Sequence, residues 1–231
     1  MKFREKLVPA IFLERISRFT VLVDLDGKRE LAHLHDPGRL DTVLEPRLEV
    51  FLRNALRNKR KTQYDIVLAR RSGVYVLIHT GFANPVFAEG VKGGVFEELS
   101  DYGIEKAEIR YGKSRIDFLL RNAIGERMLV EVKSVTKAVG STALFPDAPT
   151  SRGRKHLIEL MESIGDGFRA GVVFIVFRQG IERFAPDDEI DAKFSTLLKE
   201  AQSRGVKVIA VATKIDLNEV RIMKRIPIEL G

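Results

Sequence analysis

The stretch SRIDFLLRNAIGERMLVEVKSV, Ser114–Val135, decides how the rest of the chain is read. Two apolar runs flank a short loop containing Asn122 and Gly125, the pattern of a β-hairpin. The second run carries Glu-Val-Lys. Side chains alternate faces along a strand, so Glu131 and Lys133 share one face. A hairpin folded about Ile124 pairs Arg121 with Arg127 and sets Asp117 directly opposite Glu131. Residues so opposed point to the same side of a sheet. Two carboxylates and an amine then meet on one patch.

Like charges directly opposite one another are unfavourable, and an ionised carboxylate inside a sheet needs a partner. A hard divalent cation held by both oxygens removes the conflict. The expected metal ligands are therefore Asp117, Glu131 and the Val132 carbonyl, with Mg2+ or Mn2+ as the ion and Lys133 beside it. The competing reading is structural: Asp117 closes a strand end and Lys133 simply pairs with Glu131.

The 231 residues allow one large domain or two small ones, and a hydrophobic content of 45% is ample for a core. With no cysteine, disulfides, zinc–thiolate sites and thiol nucleophiles are excluded. No apolar run approaches the ~20 residues that cross a bilayer. The start, MKFREKLVPAIFLERISRF, is interrupted by charge and lacks a signal-peptide core. A soluble cytoplasmic protein without membrane association is expected.

The net charge of +7 is unevenly spread. Residues 1–83 hold 16 Lys and Arg against 10 Asp and Glu, whereas residues 84–231 hold 23 against 22. That asymmetry suggests a polyanion-binding module, 1–83, ahead of a neutral one, 84–231. Within the first, Leu7–Glu14, Phe19–Leu25, Arg29–Leu34, Leu48–Arg53, Gln63–Arg70 and Val74–His79 read as strands. Asp26-Gly27 is a hairpin turn signal, and a short helical piece is expected after HDPGR, through Leu44. Short strands with one helix after the third suggest a small closed barrel of the OB type, a common nucleic-acid binder. Arg53, Arg57, Lys59, Arg60 and Lys61 come with no acid among them and would contact phosphates without reading bases. Arg39 in the HDPGRL turn is a further candidate. His33 and His35 lie two apart on a strand; a polar strand face is favoured over a metal site there.

Beyond Asn84, a helix from Pro85 or Val91 through Leu99 is expected, then a strand at Lys106–Tyr111 and the key hairpin. TKAVGSTALFPDAPT reads as a linker. The helix SRGRKHLIELMESIG follows, with Thr150 or Ser151 as its N-cap. Its first turns hold Arg152, Arg154, Lys155 and His156, although the positive end of a helix dipole disfavours cations. A bound phosphate would resolve the mismatch. Gly171–Arg178 and Val206–Thr213 are buried strands joined across a loop, Phe184–Asp191, and a helix, Ala192–Ser203. Strand, helix and strand should form a right-handed parallel crossover.

This order, with Asp and Glu-Val-Lys on successive strands, resembles the PD-(D/E)xK nuclease superfamily. More closely, AHLHDPGRL, SRIDFLL, LVEVKSVT, FPDAPTSRGRKHLIEL and GVVFIVFR are similar to segments of the sugar fermentation stimulation protein family. The family's turn before Gly-Arg-Leu usually carries Asn; here it reads His35-Asp36-Pro37. The resemblance implies a two-domain α/β protein: an N-terminal OB-like barrel and a C-terminal restriction-endonuclease-like domain with a mixed central sheet. It implies DNA binding without marked sequence preference and a regulatory link to sugar utilisation. Asp117, Glu131 and Lys133 fall on the superfamily's catalytic positions. Three functions follow from these residues. The first is DNA binding, with RNA an open alternative. The second is Mg2+- or Mn2+-dependent phosphodiester hydrolysis, in which Arg152, Lys155 and His156 clamp neighbouring phosphates. The third is an interaction module whose nuclease-like site is a relic. The residues set no oligomeric state.

Overall fold

The structure, a computed structural model, describes residues 1–55 and 62–230. Its first six strands are β1 (Val8–Ser17), β2 (Thr20–Leu25), β3 (Lys28–Leu34), β4 (Glu49–Asn54), β5 (Tyr64–Arg71) and β6 (Val74–Leu77). Asp26 and Gly27 both have positive φ, which gives the β2–β3 hairpin a turn whose twist matches its strands. β1 pairs with β2 and β4, and β4 pairs with β5. Ala32–Leu34 then close in parallel on Tyr64–Ile66, sealing a five-stranded barrel in the order 1-2-3-5-4. Alternate side chains such as Val21, Val23, Ala32, Leu34, Val50 and Leu52 fill its interior.

The expected helix after β3 is absent. Leu44 N bonds Leu40 O at 2.8 Å, closing one turn and no more. Leu40 has φ +58°, outside the helical region, and Pro46 blocks extension in the other direction. Leu40 and Val43 instead plug the barrel.

Helix α1 spans Ala83–Lys92 and ends at Gly93-Gly94, Gly94 having φ +66°. It therefore starts and stops earlier than its sequence suggests, and Glu97–Leu99 is only a 3-10 turn. The second sheet is a meander of β7 (Tyr102–Tyr111), β8 (Ser114–Asn122) and β9 (Arg127–Val135). The supposed linker contains two strands, β10 (Ala138–Val139) and β11 (Thr142–Phe145). Then follow α2 (Ser151–Gly165), β12 (Arg169–Val176), β13 (Arg183–Pro186), α3 (Asp188–Ser203), β14 (Lys207–Ile215) and β15 (Val220–Arg225). β13 and the first turn of α3 occupy the segment expected as a loop; β13 pairs in parallel with β11.

The large sheet has the order β15-β14-β12-β9-β8-β7. β9, β12 and β14 run parallel, flanked by antiparallel strands, so the sheet is mixed. Helices α2 and α3 cover one face with Leu157, Leu160, Phe194 and Leu198. α1 covers the other with Val86 and Phe87, and that core continues into Phe51, Leu68 and Leu77 of the barrel. Among the described residues, no helix is long and apolar enough to cross a membrane.

Candidate metal centre at the domain junction

The β8–β9 ladder pairs Arg121 with Arg127 and runs to Phe118 opposite Val130. One step further the same register would set Asp117 against Glu131, and the charge of Glu131 does reach the Asp117 carboxyl. There the ladder stops, and the Asp117 side chain takes over: its Oδ2 accepts the Val132 amide at 2.9 Å. Its Oδ1 accepts from Asn84 Nδ2 at 2.8 Å. Asn84 sits in the first turn of α1 and was not singled out by the sequence. Glu97 and Glu98 lie in the 3-10 turn, where Glu98 pairs with Arg225.

Glu131 is 3% exposed. Lys133 Nζ donates to its Oε1 at 2.6 Å, and His156 Nδ1 makes a short contact with the same oxygen. Arg152 Nε donates to His156 Nε2 at 3.4 Å, so the ring carries its proton on Nδ1 and gives it to Glu131. Burial alone would raise the Glu131 carboxyl, but Lys133 and His156 outweigh it and hold it at about 2. Asp117 shifts the other way, raised by burial and then by the charge of Glu131. Glu131 Oε2 is buried and accepts no hydrogen bond from any described residue.

These residues line a cavity of about 440 Å³ between the two domains. The barrel contributes Arg18, Asp36, Pro37 and Gly38; the sheet domain contributes Asn84, Asp117, Glu131, Val132, Lys133, Asp147 and Arg152. Asp147 crosses the seam. Its carboxylate lies where a Gly38 Cβ would stand, and its Oδ2 accepts the Leu40 amide at 3.3 Å. Asp36 accepts the Gly38 amide at 2.8 Å. Burial, and then the neighbouring Asp147, raise the Asp36 carboxyl to about 7.

The predicted phosphate contacts divide. Arg152 is exposed on the cavity rim. Lys155 is half-buried and donates to Lys113 O at 2.9 Å. Arg39 has an exposed side chain in the turn. His156, expected among these contacts, is 2% exposed and is committed to Glu131. Arg154 is turned onto Asp191 of α3. Asp191 also accepts the Thr150 amide at 2.8 Å, while Thr150 caps α2 through the Gly153 amide. The negative charge that the basic helix start requires thus comes from within the chain, from a carboxylate 6% exposed. Arg53 is likewise engaged, with Nε and Nη2 on Asp65 Oδ2 at 3.1 and 2.9 Å. Arg57, Lys59, Arg60 and Lys61 lie outside the described residues.

Two carboxylates from adjacent strands, one with an orphaned buried oxygen and the other strained by its neighbour's charge, form an oxygen donor set suited to a hard divalent ion. Placed between an OB barrel and a restriction-endonuclease-like sheet, they define a two-domain protein with a nuclease-type fold. Family models match both parts: the SfsA N-terminal OB domain over residues 13–78 and the sugar fermentation stimulation protein RE domain over residues 81–219. The chain belongs to the sugar fermentation stimulation protein family. It is 44% identical over 208 residues to the sugar fermentation stimulation protein homolog of Methanothermobacter thermautotrophicus, covering 90% of this chain and 86% of that one. The homolog of Moorella thermoacetica is 41% identical over 225 residues, 97% of each chain. Among solved structures, Pyrococcus furiosus SfsA in complex with Ca2+ superposes with a TM-score of 0.92 at 31% identity, covering 99% of this chain and 98% of that one.

Proposed function

We propose that this chain binds DNA and hydrolyses its phosphodiester bonds with a divalent ion held at Asp117 and Glu131. The observation that carries this is that both carboxylates line the domain-junction cavity, with Glu131 Oε2 lacking a hydrogen bond among the described residues. The Ca2+ complex of the P. furiosus relative supports a divalent-ion site in this fold.

Bound there, Mg2+ or Mn2+ would polarise a phosphodiester and lower the pKa of a bound water. Asp117 and Glu131 supply its oxygen ligands, and Val132 anchors Asp117 through its amide. Asn84 fixes the Asp117 carboxylate from the opposite side. His156 orients Glu131 by donating from Nδ1, and Lys133 places a positive charge beside the reacting phosphate. Arg152 on the rim meets a neighbouring phosphate. Arg39 extends the electrostatic track over the barrel. RNA would satisfy the same contacts.

One observation favours a second reading, DNA binding without turnover: Lys133 Nζ lies 2.6 Å from Glu131 and is neutralised by it. The test is incubation of duplex, single-stranded and structured DNA and RNA with purified protein and Mn2+, beside Asp117→Asn. Metal-dependent cleavage that Asp117→Asn abolishes supports hydrolysis. Salt-sensitive binding without cleavage supports the second reading, and equal cleavage by the variant overturns the first.

A further inference from the structure

We propose that His35, Asp65 and His79 form a second metal site, on the barrel wall, for a borderline divalent ion of the Zn2+ type. In this site the Arg53 guanidinium is the resident cation that the metal displaces. The site does not depend on the reading of Asp117 and Glu131.

Barrel closure assembles it. The β3–β5 ladder pairs His33 with Asp65 and ends at Leu34 with Ile66; His35, just past that end, brings its side chain back onto Asp65. The β4–β5 ladder sets Arg53 directly against Asp65. His79 follows two residues after β6, and its ring stacks on His35 with centroids 3.7 Å apart. One donor atom from each of His35, Asp65 and His79 lies within 4.8 Å of the other two. Three atoms that close are each at most about 2.8 Å from a common centre. Zinc sits about 2.0–2.2 Å from imidazole nitrogen and carboxylate oxygen, so shifts below an ångström complete the site.

His35 Nε2 is buried and lies 3.2 Å from Asp65 Oδ1. An imidazole nitrogen and a carboxylate placed this close can both address a third group. Arg53 Nη2 is that group at present, 2.9 Å from Asp65 Oδ2 and 2.9 Å from His79 Nε2. Its side chain is 34% exposed, so it has a route to solvent. Imidazole ligands must be neutral to bind metal. Two imidazoles and one carboxylate select borderline transition ions, whereas the all-oxygen set at Asp117 and Glu131 suits hard ones. The cluster opens on its own cavity of about 550 Å³, lined also by Lys2, Phe3 and Phe82.

The experiment is Zn2+ titration of the full chain against a chromophoric chelator, in excess Mg2+ to occupy the oxygen site. The wild type, His35→Gln, Arg53→Met and Asp117→Asn are compared, with circular dichroism confirming that each is folded. One equivalent of Zn2+ is expected to stay bound in wild type and Asp117→Asn, and to be lost in His35→Gln. Arg53→Met is expected to bind at least about tenfold more tightly, since it removes a positive charge from the site. Co2+ should give visible bands in wild type that His35→Gln lacks. No retained Zn2+ in either wild type or Arg53→Met overturns the proposal. So does Zn2+ retained by His35→Gln, or Zn2+ lost in Asp117→Asn. If Arg53→Met fails to fold, the comparison of wild type with His35→Gln decides alone.

Discussion

Asp117 Oδ2 accepts the Val132 amide just past the last rung of the β8–β9 ladder. The carboxylate stands in for a main-chain carbonyl, so the strands stay joined while their side chains part around the cavity. Asp117 therefore has a structural duty besides any chemical one, and the two are separable. Asp117→Asn keeps an acceptor and removes the charge, whereas Asp117→Ala loses both.

Asp117→Asn should fold normally and lose Mn2+-dependent cleavage by roughly 10²-fold or more, because an ion ligand is gone. Asp117→Ala should in addition lower stability by about 1–3 kcal/mol, since the Val132 amide loses its partner. Cleavage assays and urea melts on both variants check the separation.

Removing His156 should make the protein more sensitive to acid. Glu131 has its carboxyl lowered to about 2 from an ordinary 4.5. A depressed carboxyl contributes stability that is full above about pH 4.5 and is lost as pH falls towards 2. Without the Nδ1 donor of His156, that loss should begin at higher pH. Acid-denaturation profiles of wild type and His156→Ala should show the midpoint moving upward, with a cost of about 1–3 kcal/mol at pH 7.

Asp36 works in the opposite direction. Its carboxyl is raised from 3.8 to about 7, so between these values the folded chain binds the extra proton. Stability then falls as pH rises from about 4 to 7 and is flat beyond. Asp36→Asn keeps the acceptor for the Gly38 amide and removes the titration. It should stabilise the protein at pH 8 by on the order of 2–4 kcal/mol and by nothing below about pH 4. Denaturant melts across that range would show it.

A methyl group on Gly38 would fall on the Asp147 carboxylate. Gly38→Ala should therefore cost about 1–3 kcal/mol. In the double variant Gly38→Ala/Asp147→Ala the clash disappears, so the combined loss should be smaller than the sum of the two single losses. A double-mutant cycle measures that coupling.

Binding to DNA should weaken steeply with salt, because each neutralised phosphate releases counterions. Arg152→Ala should reduce the slope of log K against log salt by about 1. Arg154→Ala should leave the slope unchanged, since its guanidinium is occupied by Asp191.

The features legible in the sequence were those set by local pattern. Alternation and a turn near Ile124 were enough to pair Arg121 with Arg127 in the β8–β9 hairpin, and six short strands with Asp26-Gly27 were enough for a barrel. What escaped notice depends on distant partners. β11 is held on one side by β10 and on the other by β13, some 40 residues on. Asn84 matters only because α1 begins beside Asp117. The basic start of α2 suggested a bound phosphate, but Asp191, from the next helix, answers it. His156 looked like a surface cation because its neighbours in sequence are basic. Helical geometry turns it inward onto Glu131.

The apolar interior that passes from Leu77 through Phe87 to Val130 has no boundary between the halves of the molecule. Heating should accordingly produce a single endotherm, and a protease nick between Ile78 and Ala83 should leave two sticky fragments where there had been one well-behaved chain. Anything entering the cleft meets walls of fixed separation. Selection among polymers would then rest on their width and stiffness more than on any closing motion of the protein.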